Sequence, residues 1–287
     1  MADYKIITDM TADLPEKYCI ENDIEVLNFP FSVDDDQYTN VNQIDIKEFY
    51  KQMREGRVTR TSQLSRADVE ECFRKHLDSA KDVVMFVFSS ALSGTCASVQ
   101  NIAEELNEEY NDNKVYIVDT LSASMGEGLF VMKAAEKKAE GLSAEELCKW
   151  AEEFRGSVIQ IFTVDDLMFL HRGGRVSKTA AVAGSILGIK PILHVSDEGK
   201  LVPVKKIRGR KQALKEMVNM MAEQMGDVEN PYFTISHGDC KEDAQFVVDE
   251  IKKRFGIKKA VMNFVGPVVG SHSGPGTVAL FFIGVKR

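Results

Sequence analysis

Hydrophobic positions along this chain follow two rhythms. YKIITD (Tyr4 to Asp9) and VVMFVFSS (Val83 to Ser90) are short, nearly unbroken apolar runs, while other stretches repeat an apolar residue every three or four positions. The first rhythm predicts strands covered on both faces, the second amphipathic helices. In the first half the two alternate. The strand Tyr4–Asp9 leads to a helix opened by Asp13-Leu14-Pro15-Glu16, with its capping residue and early proline. VVMFVFSS leads to a helix reaching about Tyr110, then to the strand KVYIVDT (Lys114 to Thr120). A helix from Gly126 through Ala139 follows, and Ser143-Ala144-Glu145-Glu146 reads as the capping box of another. With no two-residue hairpin turns between them, these are parallel β-α-β units, an α/β/α layer structure with a mostly parallel sheet.

The second half changes character. SVIQIFTV, KLVPVKKI, PYFTISHG, AVMNFVG and TVALFFIG are strand-like runs with fewer helices between them, and a glycine-rich loop, Gly266 to Gly276, joins the last two. This predicts a second α/β domain with a mixed sheet. The boundary falls near Gly156, giving domains at residues 1–156 and 157–287, and the absence of a Pro/Ser linker predicts that they pack closely. Ligands of open α/β sheets sit at the carboxyl ends of strands, and clefts between domains are favoured sites. FSSALSGTCASVQ (Phe88 to Gln100) occupies such a strand end, with five hydroxyl side chains where a buried strand turns into a helix.

Composition and charge narrow the chemistry. The chain has 287 residues, 44% hydrophobic and 28% charged, the profile of a globular protein with a proper core. No apolar run approaches the ~20 residues of a membrane span, and MADYKIITD lacks the basic start and apolar stretch of a secretory signal. Cys19, Cys72, Cys96, Cys148 and Cys240 are odd in number and scattered, which argues against disulfides and zinc cages and for reduced thiols in a cytoplasm. A net charge of −8 argues against a nucleic-acid surface. VKKIRGRKQALK (Val204 to Lys215) opposes the trend with six basic residues, either a solvated helix face or a docking site for something anionic.

Motif matches fall away on inspection. Gly126-Glu127-Gly128-Leu129-Phe130-Val131 lacks the third glycine of a dinucleotide loop, and the segment His171 to Thr179 lacks the glycines of a P-loop. The five histidines show no metal-ligand spacing, so no metal or cofactor is expected. A lipid or ester hydrolase using Ser93 and His272 is the enzymatic alternative, but Ala91 and Thr95 stand where a nucleophile elbow has glycines. That leaves the hydroxyls as helix caps, their commonest role, or as binders of an anion at a helix N-terminus. Ser93, Gly94 and Thr95 form one such group. Thr59-Arg60-Thr61-Ser62-Gln63 is a second hydroxyl-rich loop that would face it.

The chain resembles the DegV family of bacterial lipid-binding proteins. The resemblance runs nearly end to end through Thr8-Asp9-Met10-Thr11-Ala12-Asp13-Leu14-Pro15, Thr61-Ser62-Gln63-Leu64-Ser65, Ser89-Ser90-Ala91-Leu92-Ser93-Gly94-Thr95 and Asp119-Thr120-Leu121-Ser122-Ala123-Ser124. The second half adds His171-Arg172-Gly173-Gly174-Arg175 and Gly270-Ser271-His272-Ser273-Gly274-Pro275-Gly276. Met10 and Leu64 depart from the serine and proline usual in the family. The resemblance implies a binding subunit without catalytic residues of its own, holding one long-chain fatty acid. It implies that Thr61, Ser93, Gly94 and His272 surround the carboxylate. It further implies that Arg172, with Arg208 or Arg210, faces a separate fatty acid kinase, Arg175 being the alternative within the same motif. The acyl phosphate product would pass to an acyltransferase and phospholipid synthesis. TAAVAGSILGI (Thr179 to Ile189) would line the acyl tunnel or be a plain core helix.

Overall fold

The structure is a computed structural model that describes residues 4–177 and 188–285. The first half runs β1 (Tyr4–Asp9), α1 (Glu16–Glu21), β2 (Ile24–Leu27), β3 (Phe31–Val33), β4 (Asp36–Tyr38), α2 (Ile46–Arg54), β5 (Thr59–Thr61), α3 (Arg66–Leu77), β6 (Asp82–Val87), α4 (Thr95–Glu109), β7 (Val115–Asp119), α5 (Met125–Ala139) and α6 (Ala144–Phe154). The second runs β8 (Val158–Thr163), α7 (Met168–Arg172), β9 (Ile189–Val195), β10 (Leu201–Arg208), α8 (Arg210–Met225), β11 (Tyr232–His237), α9 (Lys241–Phe255), β12 (Lys259–Phe264), α10 (Pro267–Ser273) and β13 (Val278–Ile283).

Two principal sheets result. One is parallel throughout, in the order β2-β1-β6-β7, with Ile6 beside Ile24 and Val84. The other is mixed, in the order β10-β9-β8-β13-β11-β12, its only parallel pair among the described strands being β11 and β12. The expected α/β class and mixed second sheet are therefore present. A third, antiparallel sheet, β4-β3-β5, went unread in the sequence because its strands are three residues long.

Helix α5 explains how the halves join. Met125 to Met132 are all buried, so this helix has no solvent face along its first two turns. A helix apolar all round must lie inside, and α5 packs on β11, β13 and β8 as well as on β6. One core then runs from Phe86 through Phe130 to Phe162 and Phe281. Phe130 packs edge-on against Trp150 and Phe154.

Three sequence expectations need correction. The glycine-rich loop Gly266 to Gly276 contains a helix, α10, which Pro267 opens at its first position. The basic stretch is not one helix face: Val204 to Arg208 belong to β10, and only the part from Arg210 is helical. IKPILHV, overlooked because a proline interrupts it, is β9. Of TAAVAGSILGI, Thr179 to Leu187 lie outside the described residues.

The halves are pinned at Asp13. Its carboxyl accepts the Gly266 N–H at 2.8 Å and meets the Ser124 hydroxyl, while its carbonyl accepts from Asn263 Nδ2 at 2.8 Å. Asp9 and Glu127 are buried beside it, held by Thr8, Thr11 and the Phe88 N–H. Burial pushes Asp9 up to about 6 and Asp13 up to about 8, and raises Glu127 well above the usual carboxylate range. A carboxyl raised on folding stabilises the fold fully below its unfolded value, and that contribution is lost as pH climbs through the folded value. Asp13 therefore weakens the fold as pH rises from about 4 through about 8. Asp13→Asn keeps the acceptor for Gly266 and puts an amide donor where the proton was. The thermal midpoint of the wild type is expected to fall between pH 6 and pH 9, and Asp13→Asn to flatten that fall. Equal slopes for the two proteins would exonerate Asp13.

Candidate functional site

Thr61, Ser93, Gly94 and His272 all line one cavity of about 350 Å³. That lies within the ~300–1,000 Å³ typical of small-molecule sites. Much of its wall is apolar, from Phe29, Phe88, Leu92, Phe162, Val195 and Phe281. A larger cleft of about 880 Å³ opens by Asn28, Asn40, Asn42 and Asn263, and none of the four residues reaches it.

Both halves of the chain build the polar part. β5 is held in register by β3, with Thr61 opposite Phe31. Its Thr59 hydroxyl donates to the Ser271 carbonyl on α10 at 3.4 Å, and Thr61 Oγ1 lies 2.9 Å from His272 Nε2. The other imidazole nitrogen rests on the backbone of α7's exit: a Cβ at position 173 would fall 2.2 Å from Nδ1. This gives a reason for glycine in His171-Arg172-Gly173-Gly174-Arg175. Burial, and then the Arg175 guanidinium, push His272 down to about 4, so its ring is neutral at neutral pH.

The two hydroxyl-rich segments do face each other. A Cβ on Gly94 would come 2.6 Å from Gln63 Nε2, so glycine lets the two segments meet without displacing that side chain. Ser93 lies one residue before Gly94, which holds the cap position of α4. The Ser93 Oγ accepts the Thr95 N–H at 3.2 Å and donates to Thr95 Oγ1 at 2.9 Å. An incoming acceptor would draw that hydroxyl hydrogen away from Thr95. Ser89, by contrast, ties the halves together by donating to the Gly199 carbonyl at 2.9 Å. No hydrogen bond joins Ser93 to His272 among the described residues, so the nucleophile–base pair of the hydrolase alternative is not supported.

Of the arginines, Arg175 lines the cavity and donates from Nε to the Leu92 carbonyl at 3.0 Å. Arg172 is exposed and stacks 4.5 Å over the Phe169 ring. Arg208 is exposed on β10. Arg210 is committed within the fold, bonding Asp243 at 2.7 Å and the Gly276 carbonyl at 2.6 Å. Sequence reasoning gave no role to Gln160, whose amide holds the Ala123 N–H at 3.1 Å and the Ser122 hydroxyl at 2.9 Å. A lone glutamine in the apolar run SVIQIFTV was the available signal. One potential metal-ligand set, Glu25, Cys72 and His76, occurs among the described residues, away from the cavity. There Lys75 already sits 3.0 and 3.1 Å from the two Glu25 oxygens, and burial pushes the Cys72 thiol up to about 12.

Fold and site together define the class: an α/β protein whose parallel and mixed sheets flank a largely apolar cavity with hydroxyls and one neutral imidazole on its wall. The chain belongs to the DegV family, whose profile, described as "Uncharacterised protein, DegV family", it matches over residues 3–285. A DegV domain-containing protein of Clostridium perfringens is 38% identical over 286 residues, 99% of this chain and 98% of its own. Among solved structures, a DegV lipid binding protein from Thermotoga maritima is 29% identical with a TM-score of 0.84, covering 99% of both chains. A DegV family protein from Thermus thermophilus, described by its fatty acid binding, is 28% identical with a TM-score of 0.88, over 99% of this chain and 100% of that one.

The site geometry fixes the state of His272. A ¹⁵N-edited titration of the ligand-free protein is expected to show its imidazole neutral from pH 5.5 to 8, protonating only near the acid limit of the fold. A midpoint close to the ordinary ~6.5 would mean that the ring is hydrated and the pocket open around it.

Proposed function

We propose that this protein binds a long-chain fatty acid in the cavity and presents its carboxylate to a separate kinase. The observation that carries the reading is the convergence of Thr61, Ser93, Gly94 and His272 on a largely apolar cavity. Fatty acid binding by the Thermus thermophilus relative supports it. Each methylene buried contributes about 0.8 kcal/mol, so the tail supplies the affinity. A carboxylate taken from water costs several kcal/mol unless hydrogen-bonded, and the hydroxyls offset that cost. We assign Thr61, Ser93, the Gly94 backbone and His272 to the carboxylate, with Arg175 as the nearest cation on the wall.

The protein is then a carrier with no reaction of its own. The kinase transfers phosphate from ATP to the bound carboxylate, and an acyltransferase consumes the acyl phosphate in phospholipid synthesis. Arg172 and Arg208, being exposed, are the proposed contacts for the kinase or its phosphate, because guanidinium forks pair with phosphate oxygens. Arg210 fits a different role, holding Gly276 in the loop after α10. Residues 1–156 and 157–287 are the proposed domains, with the ligand between them.

Organic extraction of purified protein followed by mass spectrometry is expected to yield one long-chain fatty acid per chain. Thr61→Ala and His272→Ala should each weaken fatty acid binding by about 1.5 to 3 kcal/mol, the range for a bond to a charged group. Arg172→Ala should keep the lipid and lose acyl-phosphate formation with kinase and ATP. Protein that carries no lipid and takes up none would overturn the carrier reading.

A further inference from the structure

Five polar side chains in the cavity wall are almost fully buried: Thr11, Ser124, Gln160, Ser273 and Thr277. Four are matched within the protein. Thr11 donates to Glu127, Ser124 bonds Asp13 and Ser236, Gln160 bonds Ser122, and Thr277 donates to the Ser273 and Gly274 carbonyls. Ser273 is the exception. Its residue is 5% exposed and its Oγ has no hydrogen-bond partner.

Local structure offers this hydroxyl a partner that it does not take. A serine in a helix commonly bonds back to the carbonyl four residues earlier. Ser271, two positions before it on α10, does so, donating to the Pro267 carbonyl at 2.7 Å. The equivalent acceptor for Ser273 is the Val269 carbonyl, and no such bond forms. The large majority of buried side-chain polar atoms in folded proteins have a partner, and of the few here that lack one, Ser273 Oγ alone belongs to the cavity wall. A buried, unmatched hydroxyl on a cavity wall therefore points to a partner supplied by whatever fills the cavity. Its position in the chain narrows which part of that occupant it meets. It directly follows His272, at the end of the helix that brings the imidazole to Thr61.

Resting on the fatty-acid reading above, we infer that Ser273 donates a hydrogen bond to the ligand's carboxylate, as a further hydroxyl of the head-group clamp. No group of the protein matches this hydroxyl, which is therefore free for the acid. This makes the site selective for an ionised acid over an amphiphile of equal length with a weaker acceptor at its head. It also separates the duties of neighbouring residues: Thr61 and His272 are bonded to each other, whereas Ser273 has no partner within the protein.

Delipidated wild type and Ser273→Ala are compared by calorimetric titration with palmitic acid and with 1-hexadecanol. The variant is expected to lose about 10-fold or more in palmitate affinity and to bind hexadecanol within 2-fold of wild type. Its ligand-free melting temperature should not fall, since the substitution removes an unmatched polar atom. If alanine disturbs the helix end, Ser273→Cys, close in size and a weak donor, gives the same comparison. Wild-type palmitate affinity in both variants would overturn the assignment, as would equal losses for acid and alcohol, which would place the hydroxyl against the tail. Wild type that binds neither probe would instead overturn the carrier reading itself.

Discussion

Asp13 decides where the second half of the chain meets the first. It sits in the left-handed region, at φ 52°, where the chain leaves a short 3₁₀ turn, and its carboxyl accepts the N–H of Gly266. Gly266 caps α10, and Tyr50, on α2, fixes the preceding residue through its bond to the Val265 carbonyl at 2.7 Å. With its start held from two elements of the first half, α10 has its last turn placed as well. That turn carries His272 to Thr61 and against Gly173. A helix N-terminus favours a charged carboxylate by only about 0.3 to 1 kcal/mol, while stripping one of water costs several. Burial wins, and Asp13 is held largely protonated at neutral pH. The Asp13–Gly266 contact is thus a neutral hydrogen bond.

The long elements were legible because their periodicity is strong. YKIITD, VVMFVF and KVYIVD emerge as the three longest strands of the parallel sheet, and the capping box at Ser143 forms as read. What escaped was structure whose signal is shorter than a period. Phe31–Val33 and Thr59–Thr61 are too brief to show alternation, so the hydroxyl-rich stretch at Thr61 read as loop when it is a strand. α10 escaped because its glycines and serines have poor helix propensity. Tertiary contacts from Asp13, Tyr50 and Val268 in the first half's core hold it helical.

The site was legible in a different way. Clustered hydroxyls and glycine marked the segments of Ser93, Gly94 and Thr61, and the family resemblance joined them to His272 as a carboxylate site, but nothing in their spacing across the chain places them in one cavity. The arginines show the limit most clearly. Arg172 and Arg175 are three residues apart in one motif, and only the turn after α7, which ends the helix at Gly173, decides that one stacks on Phe169 in solvent and the other enters the wall. Arg210 looked like part of a basic surface because its partners, Asp165 and Asp243, lie far off in sequence on both sides.

Charge along the cavity then argues for what enters it. The chain carries 44 acidic and 36 basic side chains, yet the wall presents no carboxylate and one guanidinium, that of Arg175, among the described residues. The carboxyls immediately behind the wall, Asp9, Asp13 and Glu127, meet it through Thr11, Ser124 and the Phe88 N–H. Burial raises all three and holds Asp13 largely protonated at neutral pH, whereas Asp9, raised only to about 6, is largely ionised there. An ionised Asp13 would set a like charge against an anion in the cavity across little more than the Ser124 hydroxyl. Keeping Asp13 neutral removes that repulsion, and Arg175 meets no carboxylate among the described residues of the wall. The same desolvation that raises the acids lowers His272, so the imidazole offers a hydrogen bond without adding a charge to be buried. An acidic protein has thereby built a largely apolar cavity whose wall carries one cation and no carboxylate among the described residues.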